Sequence, residues 1–181
     1  VRIGIIGAGM IGKLVINMLK SYKFEVLVFD PFLPGVTAKE LGVIKTDLDT
    51  LFSECQVVSN HLANNEQTKN ILNYNLFSKM LPYSTFINTG RGAQVDEEAL
   101  INKVQKDPSI VAILDVTHPE PPLEDSPLYM LPNVVLTPHS AGSSGNEVRR
   151  MAQYMIDESR RWINGEACFY EVKREMLPTM A

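Results

Sequence analysis

Arg91 stands between Gly90 and Gly92, which let the backbone turn sharply and suit an arginine aimed into a cleft. Its guanidinium presents a planar fork of donors that matches a carboxylate. His139, in Thr137-Pro138-His139-Ser140-Ala141-Gly142, follows an apolar run. It carries the side chain whose ordinary titration lies nearest neutral pH, as proton transfer requires. Glu120, among Pro119, Pro121 and Pro122, supplies a carboxylate of the kind that orients an imidazole. Alone, each has an ordinary reading: a solvated loop arginine, a histidine satisfied by backbone, a loop acid. Together they are the set needed to move a proton at an oxygen while a cation holds a neighbouring anionic group.

A second chemical feature lies at the start of the chain. Val1-Arg2-Ile3-Gly4-Ile5-Ile6 runs into Gly7-Ala8-Gly9-Met10-Ile11-Gly12, and Lys13 to Lys20 continues with helical spacing. Strand, G-x-G-x-x-G turn and helix in that order form the setting for a dinucleotide pyrophosphate. Gly7 permits the turn, Gly9 the approach of backbone to phosphate, and Gly12 close packing of helix on strand. Ile11, Leu14, Val15, Met18 and Leu19 recur at i, i+3, i+4, i+7 and i+8, which predicts the buried face of that helix. A second strand, Phe24 to Phe29, ends on Asp30, eighteen residues past Gly12. That is where a Rossmann fold places the carboxylate that accepts from the adenosine ribose hydroxyls. Asp30 favours NAD over NADP. A 2′-phosphate about 4 Å away would be repelled by on the order of 1–4 kcal/mol per unit charge. No Arg or Lys among Pro31, Phe32 and Leu33 offsets that.

These groups need elements to position them. The pattern predicts a short helix over 37–41, a strand at 42–44, and a helix over 48–52 capped by Asp47. A strand around Val57-Val58 follows, then helices over 68–72 and 75–80, the latter capped by Asn73. Thr85 to Asn88 is a strand, 96–105 a helix, Ile110 to Leu114 a continuous apolar strand, and Val134 to Thr137 another. A last helix shows a seam of Val148, Met151, Ala152, Met155, Ile156, Ser159, Trp162 and Ile163, closed by Asn164-Gly165. Strands alternating with helices imply an α/β fold, a doubly wound parallel sheet of Rossmann type with helices on both faces. In such a sheet ligands sit beyond the carboxyl ends of the strands, where Asp30, His61, Arg91, Asp115, Glu120 and His139 emerge.

Composition narrows the classes. The 181 residues are 45% hydrophobic and 21% charged, enough for one domain with a full core. With 17 Lys plus Arg against 21 Asp plus Glu, the net charge is −4, and no basic run suggests nucleic acid. Cys55 and Cys168 make neither a disulfide framework nor a metal-ligand spacing, which fits a reducing cytoplasm and no metal. Glycines interrupt the first apolar run, so it is neither a leader nor a membrane span.

Four stretches carry a family resemblance: Asn88 to Leu100, Leu114 to Pro121, Asp125 to Val134, and Thr137 to Ser143. With the glycine turn and Asp30 in order, residues 1 to about 165 closely resemble the D-isomer-specific 2-hydroxyacid dehydrogenases, in particular their phosphoglycerate dehydrogenase-like members. The resemblance implies an NAD-dependent enzyme that passes hydride between the cofactor and a small 2-oxo or D-2-hydroxy acid. It implies that Arg91 binds the substrate carboxylate and oxo group, that His139 exchanges the proton, and that Glu120 orients the imidazole. Asp115 would hold the nicotinamide carboxamide. Met10 and Ile11 would lie along the pyrophosphate, and Leu62, Thr89, Gly90, Arg91, His139 and Ala141 would line the cofactor. The loop Asn60 to Asn65 departs from the pattern, lacking the proline and hydroxyl residue usual after its first histidine. His118 lacks the Thr-Pro-His-x-Ala-Gly setting and is taken as a surface histidine.

The resemblance further implies a homodimer in the full-length protein, with no membrane or nucleic-acid partner. The start at Val1, inside a strand, suggests a chain cut from something longer. Residues 1–165 are then the NAD-binding Rossmann domain. Residues 166–181 are a tail that would return to a substrate domain absent from this chain and would lack its packing partner here. Such a fragment is expected to bind NAD weakly and to catalyse nothing alone, since half of the water-excluding cleft is missing. The same fold also serves NAD(H)-sensing corepressor-like regulators, which retain similar residues, so a regulator without metabolic turnover is the alternative.

Overall fold

Runs of β-branched and apolar residues build a parallel sheet whose every strand delivers its carboxyl end to the same edge. The computed structural model describes residues 1–179. Among these the strands are β1 (Arg2–Ile6), β2 (Glu25–Phe29), β3 (Ile44–Lys45), β4 (Val57–Asn60), β5 (Thr85–Asn88), β6 (Val111–Leu114) and β7 (Val134–Leu136). All pair in parallel, in the order β3-β2-β1-β4-β5-β6-β7. The reversal at β1/β4 is the switch point at which doubly wound sheets open a crevice.

Helices α1 (Met10–Leu19), α2 (Gly35–Leu41), α3 (Leu48–Glu54), α4 (Tyr74–Ser78), α5 (Glu97–Lys106) and α6 (Asn146–Ile163) follow the strands. The strand period of two sorts the core into two layers. Ile3, Ile5, Val26 and Val28 pack with Ile16 of α1 and Ala38 of α2. Ile6, Leu27, Val58 and Phe86 pack with Leu51 and Phe52 of α3, Phe77 of α4, and Leu100 and Val104 of α5. Phe77 meets Phe52 and Phe86 edge-on at ring-centroid distances of 5.6 and 5.2 Å, a geometry that adds about 0.5–1.5 kcal/mol per pair beyond burial. Cys55 closes α3 in this layer, fully buried against Gly4 of β1, and burial pushes its thiol up to about 11. Asp47, Asn73 and Asp96 cap α3, α4 and α5 by accepting from Thr50, Asn75 and Ala99 N–H groups.

Three expectations are corrected. The face of α1 is rotated: Gly12 and Ile16 are buried, whereas Ile11, Leu14 and Met18 are 61%, 59% and 73% exposed. Gly12 sets that rotation. A Cβ there would lie 2.0 Å from the Gly7 carbonyl oxygen, so this residue faces the strand and Ile16, one turn on, follows it. Residues 68–70 form turns and Leu72 an isolated parallel bridge with Val95, in place of a helix. Asn65 accepts from the Gln67 and Thr68 N–H groups, and Asn70 adopts a positive φ of 50°. The seam of α6 is exposed along its length, and of its residues only Glu158 is buried. Within the segment after Gly165, residues 168–170 fold back on α6. The Tyr170 ring lies 5.7 Å from that of Tyr154, Arg161 stacks 3.9 Å over Phe169, and Glu158 accepts from the Tyr170 N–H. Met180 and Ala181 of the expected tail lie outside the described residues.

Candidate active site

The glycine turn after β1 builds the first half of the site. Gly7 takes φ of 89° and donates to the Phe29 carbonyl, which ties the turn to β2. A Cβ on Gly7 would meet the His61 carbonyl at 2.7 Å, so the turn packs on the loop after β4. Gly9 caps α1 with no side-chain acceptor, and a Cβ there would meet nothing within 4 Å. The helix start therefore presents unfilled N–H groups to open space, with no acid in its first turn and Met10 and Ile11 exposed beside it. A pyrophosphate fits that cradle. Asp30 stands at the end of β2 and accepts from the Ala8 N–H at 2.7 Å and the Phe32 N–H at 2.8 Å. Its carboxylate keeps free lone pairs for ribose hydroxyls.

One cation near this loop escapes sequence reasoning. Lys45, on β3, donates to the Leu33 carbonyl at 2.7 Å and to that of Pro31 at 3.4 Å. It braces the ribose loop through backbone oxygens, and no local signal in the sequence links it to Asp30.

β4 and β5 bring the next group. His61 lies with its ring 2.9 Å from the Ser59 hydroxyl through Nε2 and 3.5 Å from the Thr89 hydroxyl through Nδ1. Burial lowers its pKa, which favours the neutral ring. Arg91 follows β5, and its Nη1 donates to the Gly90 carbonyl at 2.8 Å. Its neighbour Gly92 is pressed against the loop after β6: a Cβ on Gly92 would come within 2.0 Å of the Thr117 oxygen. That contact sets the arginine loop beside the loop that carries Glu120.

At the ends of β6 and β7 the remaining groups meet. His139 Nδ1 donates to Glu120 Oε1 at 2.5 Å, both side chains half-exposed, which leaves Nε2 for proton exchange. His139 holds a positive φ of 51°, a conformation disfavoured for a side chain of this size. Asp115 secures that loop by accepting from the Thr137 hydroxyl, from the Ser140 N–H at 2.8 Å and from the Ala141 N–H at 2.9 Å. Burial pushes the Asp115 carboxyl up, but the Thr137, Ala141 and Ser140 bonds outweigh it and the net shift is downward.

A stability consequence follows. A depressed carboxyl contributes stability above its ordinary range and loses it as pH falls through its folded value. Asp115→Ala should therefore cost about 1–3 kcal/mol at neutral pH, as two backbone donors lose their acceptor. The deficit should shrink as pH falls below the ordinary carboxylate range, toward the depressed folded value at which the parent carboxylate is itself protonated. Urea unfolding at two pH values measures this, and an equal deficit at both would contradict it.

The loops thus place a glycine turn with open N–H groups, the Asp30 carboxylate, an arginine and a carboxylate-paired imidazole along one edge of one sheet. The family model described as "D-isomer specific 2-hydroxyacid dehydrogenase, NAD binding domain" matches residues 1–141. The chain belongs to this family. D-3-phosphoglycerate dehydrogenase of Archaeoglobus fulgidus is 37% identical over 141 residues, 78% of this chain and 27% of that protein. Among solved structures, D-lactate dehydrogenase with NAD+ from Lactobacillus jensenii superposes with a TM-score of 0.80 at 28% identity, over 96% of this chain and 56% of that one. An NADPH-dependent glyoxylate/hydroxypyruvate reductase from Sinorhizobium meliloti, in complex with NADP and sulfate, gives 0.81 at 27% identity, over 96% and 55%. The chain therefore spans between about a quarter and a little over half the length of these dehydrogenase relatives. As an NAD-binding domain of the 2-hydroxyacid dehydrogenases it is flanked by helices, none of them, among the described residues, long and apolar enough to cross a membrane.

Proposed function

We propose that this chain is the coenzyme half of an NAD-dependent oxidoreductase that interconverts a small 2-oxo acid and its D-2-hydroxy acid. The observation that carries the reading is the His139–Glu120 pair at 2.5 Å, on the strand-end edge that also holds the glycine turn. Gly7, Gly9, Met10, Ile11 and Gly12 would receive the pyrophosphate, Asp30 the ribose, and Leu62, Thr89, Gly90 and Ala141 the nicotinamide side. The bound dinucleotide supplies the hydride. Asp115 has one carboxylate oxygen with a single backbone donor, Ala141, and that oxygen is the one able to accept from the carboxamide. Arg91 holds the substrate carboxylate and draws charge toward the oxo oxygen. His139, oriented through Nδ1 by Glu120, gives the proton from Nε2 to that oxygen during reduction and takes it back in the reverse direction.

Residues 1–165 serve as the cofactor domain, with 166–181 leading toward a substrate-binding partner domain. The full-length protein is read as a cytoplasmic homodimer, which sedimentation of the intact protein checks. The exposed apolar residues of α1 and α6, among them Leu14, Met18, Met151 and Met155, give a dimer surface to cover.

A screen of 2-oxo acids with NADH on the full-length protein, repeated with NADPH, tests the function. Turnover with NADH at least about tenfold above NADPH is expected, in line with the repulsion between Asp30 and a 2′-phosphate. Binding of NADH with no turnover of any 2-oxo acid would favour the sensor reading instead. Asp30→Ala should weaken NADH about tenfold or more, the loss of one charge-assisted hydrogen bond, while NADPH affinity holds or improves. Fluorescence titration reads both, and a parallel loss for the two cofactors would remove Asp30 from the selection.

A further inference from the structure

Three amide side chains, Asn60, Asn88 and Gln94, lie together at the ends of β4 and β5 with 0%, 1% and 0% exposure. Asn60 Nδ2 donates to Asn88 Oδ1 at 2.9 Å and to Gln94 Oε1 at 2.7 Å. Gln94 Nε2 donates to the carbonyls of Leu62 at 3.0 Å and Ala63 at 2.9 Å. Asn60 Oδ1 accepts from the Leu62 N–H at 3.2 Å. On the other side, Gln94 Oε1 accepts from the Arg91 N–H at 3.2 Å, Asn88 Nδ2 donates to the Arg91 carbonyl at 3.3 Å, and Asn88 Oδ1 accepts from the Gly90 N–H at 3.1 Å. Both backbone polar groups of Arg91 therefore end on this cluster. Gly90 is fitted against it, since a Cβ there would lie 2.9 Å from both Asn60 Nδ2 and Gln94 Oε1.

Burying three amides is costly unless each donor and acceptor is met. Here Asn60 Nδ2 and Gln94 Nε2 each donate to two acceptors and Asn88 Nδ2 to the Arg91 carbonyl, and the backbones engaged belong to two different loops. An apolar filling would occupy the same volume, but only directional bonds can tie the 62–63 backbone to the 90–91 backbone. None of the three side chains titrates, so the tie is independent of pH.

We propose that the Asn60–Asn88–Gln94 cluster positions Arg91 and holds its loop in register with the 62–63 loop. Asn60 and Gln94 are then positioning residues for binding the 2-oxo acid carboxylate. The inference rests on the reading of Arg91 as the group that binds that carboxylate. Gln94→Met keeps side-chain length while leaving the Leu62 and Ala63 carbonyls and the Arg91 N–H without their partner.

The test is a double-mutant cycle in the full-length protein with glyoxylate and NADH, using Q94M, R91M and the pair. Q94M should raise KM for glyoxylate about tenfold or more, with a smaller change in kcat, because the cation is displaced from the substrate carboxylate. In the R91M background the same change should cost less than about twofold in kcat/KM, since the cluster acts through Arg91. A Q94M enzyme with parental KM, or one whose loss persists in full beside R91M, overturns the proposal while leaving the role of Arg91 standing. An R91M enzyme with parental KM, or a parent that reduces no 2-oxo acid, overturns both. If Q94M does not yield folded protein, N60L enters the same cycle with the same expected outcomes.

Discussion

His139→Gln should lower kcat for reduction of a 2-oxo acid by about 10²- to 10⁴-fold, the usual contribution of a positioned general acid. Glutamine retains a hydrogen-bond donor near Glu120 but has no proton to give at neutral pH. NADH affinity should hold within about threefold, because the glycine turn and Asp30 lie on other strands. Glu120→Gln should give a smaller loss, since the imidazole survives and only its orientation and charge stabilisation are weakened. Steady-state kinetics and NADH titration on the same preparations separate the two effects. A His139→Gln enzyme within about fivefold of the parent in kcat would take His139 out of the proton path.

Gly12→Ala should remove both cofactor binding and a large share of the domain's stability. The added methyl would sit 2.0 Å from the Gly7 carbonyl oxygen. Gly7 has little room to yield, because its N–H is held by the Phe29 carbonyl and the space where its side chain would stand is closed by the His61 carbonyl. The helix must instead lift from β1, which pulls Ile16 from its buried place and moves the N–H cradle away from the phosphates. We expect a loss of about 1–3 kcal/mol, the usual cost of forcing an extra methyl into filled space. NADH affinity should fall about a hundredfold or more, since the helix start carries the anion contacts. Denaturant unfolding and fluorescence titration measure the two losses. Near-parental NADH affinity in Gly12→Ala would contradict the assigned use of the turn.

The glycine turn was legible in the sequence because its chemistry demands the absence of a side chain at fixed spacings. β6 was legible because Ile110 to Leu114 is a continuous apolar run, the form taken by strands covered on both faces. The rotation of α1 was not. Ile11, Leu14 and Met18 are as apolar as Ile16, and only the contact of Gly12 with Gly7 selects which of them faces the sheet. Over 68–72 tertiary pairing wins over helical spacing, because the Asn70 and Leu72 N–H groups donate to the Ala93 and Gln94 carbonyls rather than back along the segment. Arg91, Glu120 and His139 could be picked out by type and setting. Asn60 and Gln94 could not, since a polar residue near a strand end looks like an ordinary loop position until its partners are seen across the fold. Lys45 was hidden for the same reason.

Cys55 has a practical consequence. A thiol titrating near 11 holds almost no thiolate at neutral pH, and this one is sealed beneath Gly4 with no route for a reagent. Cys168 is only partly buried, its thiol donating to the Glu158 carbonyl at 3.9 Å near the end of α6. Mixed with an alkylating reagent, the chain should react first at Cys168 and at Cys55 only when β1 and α3 part. The slow modification is a built-in clock for opening of the very layer on which the nucleotide turn is mounted.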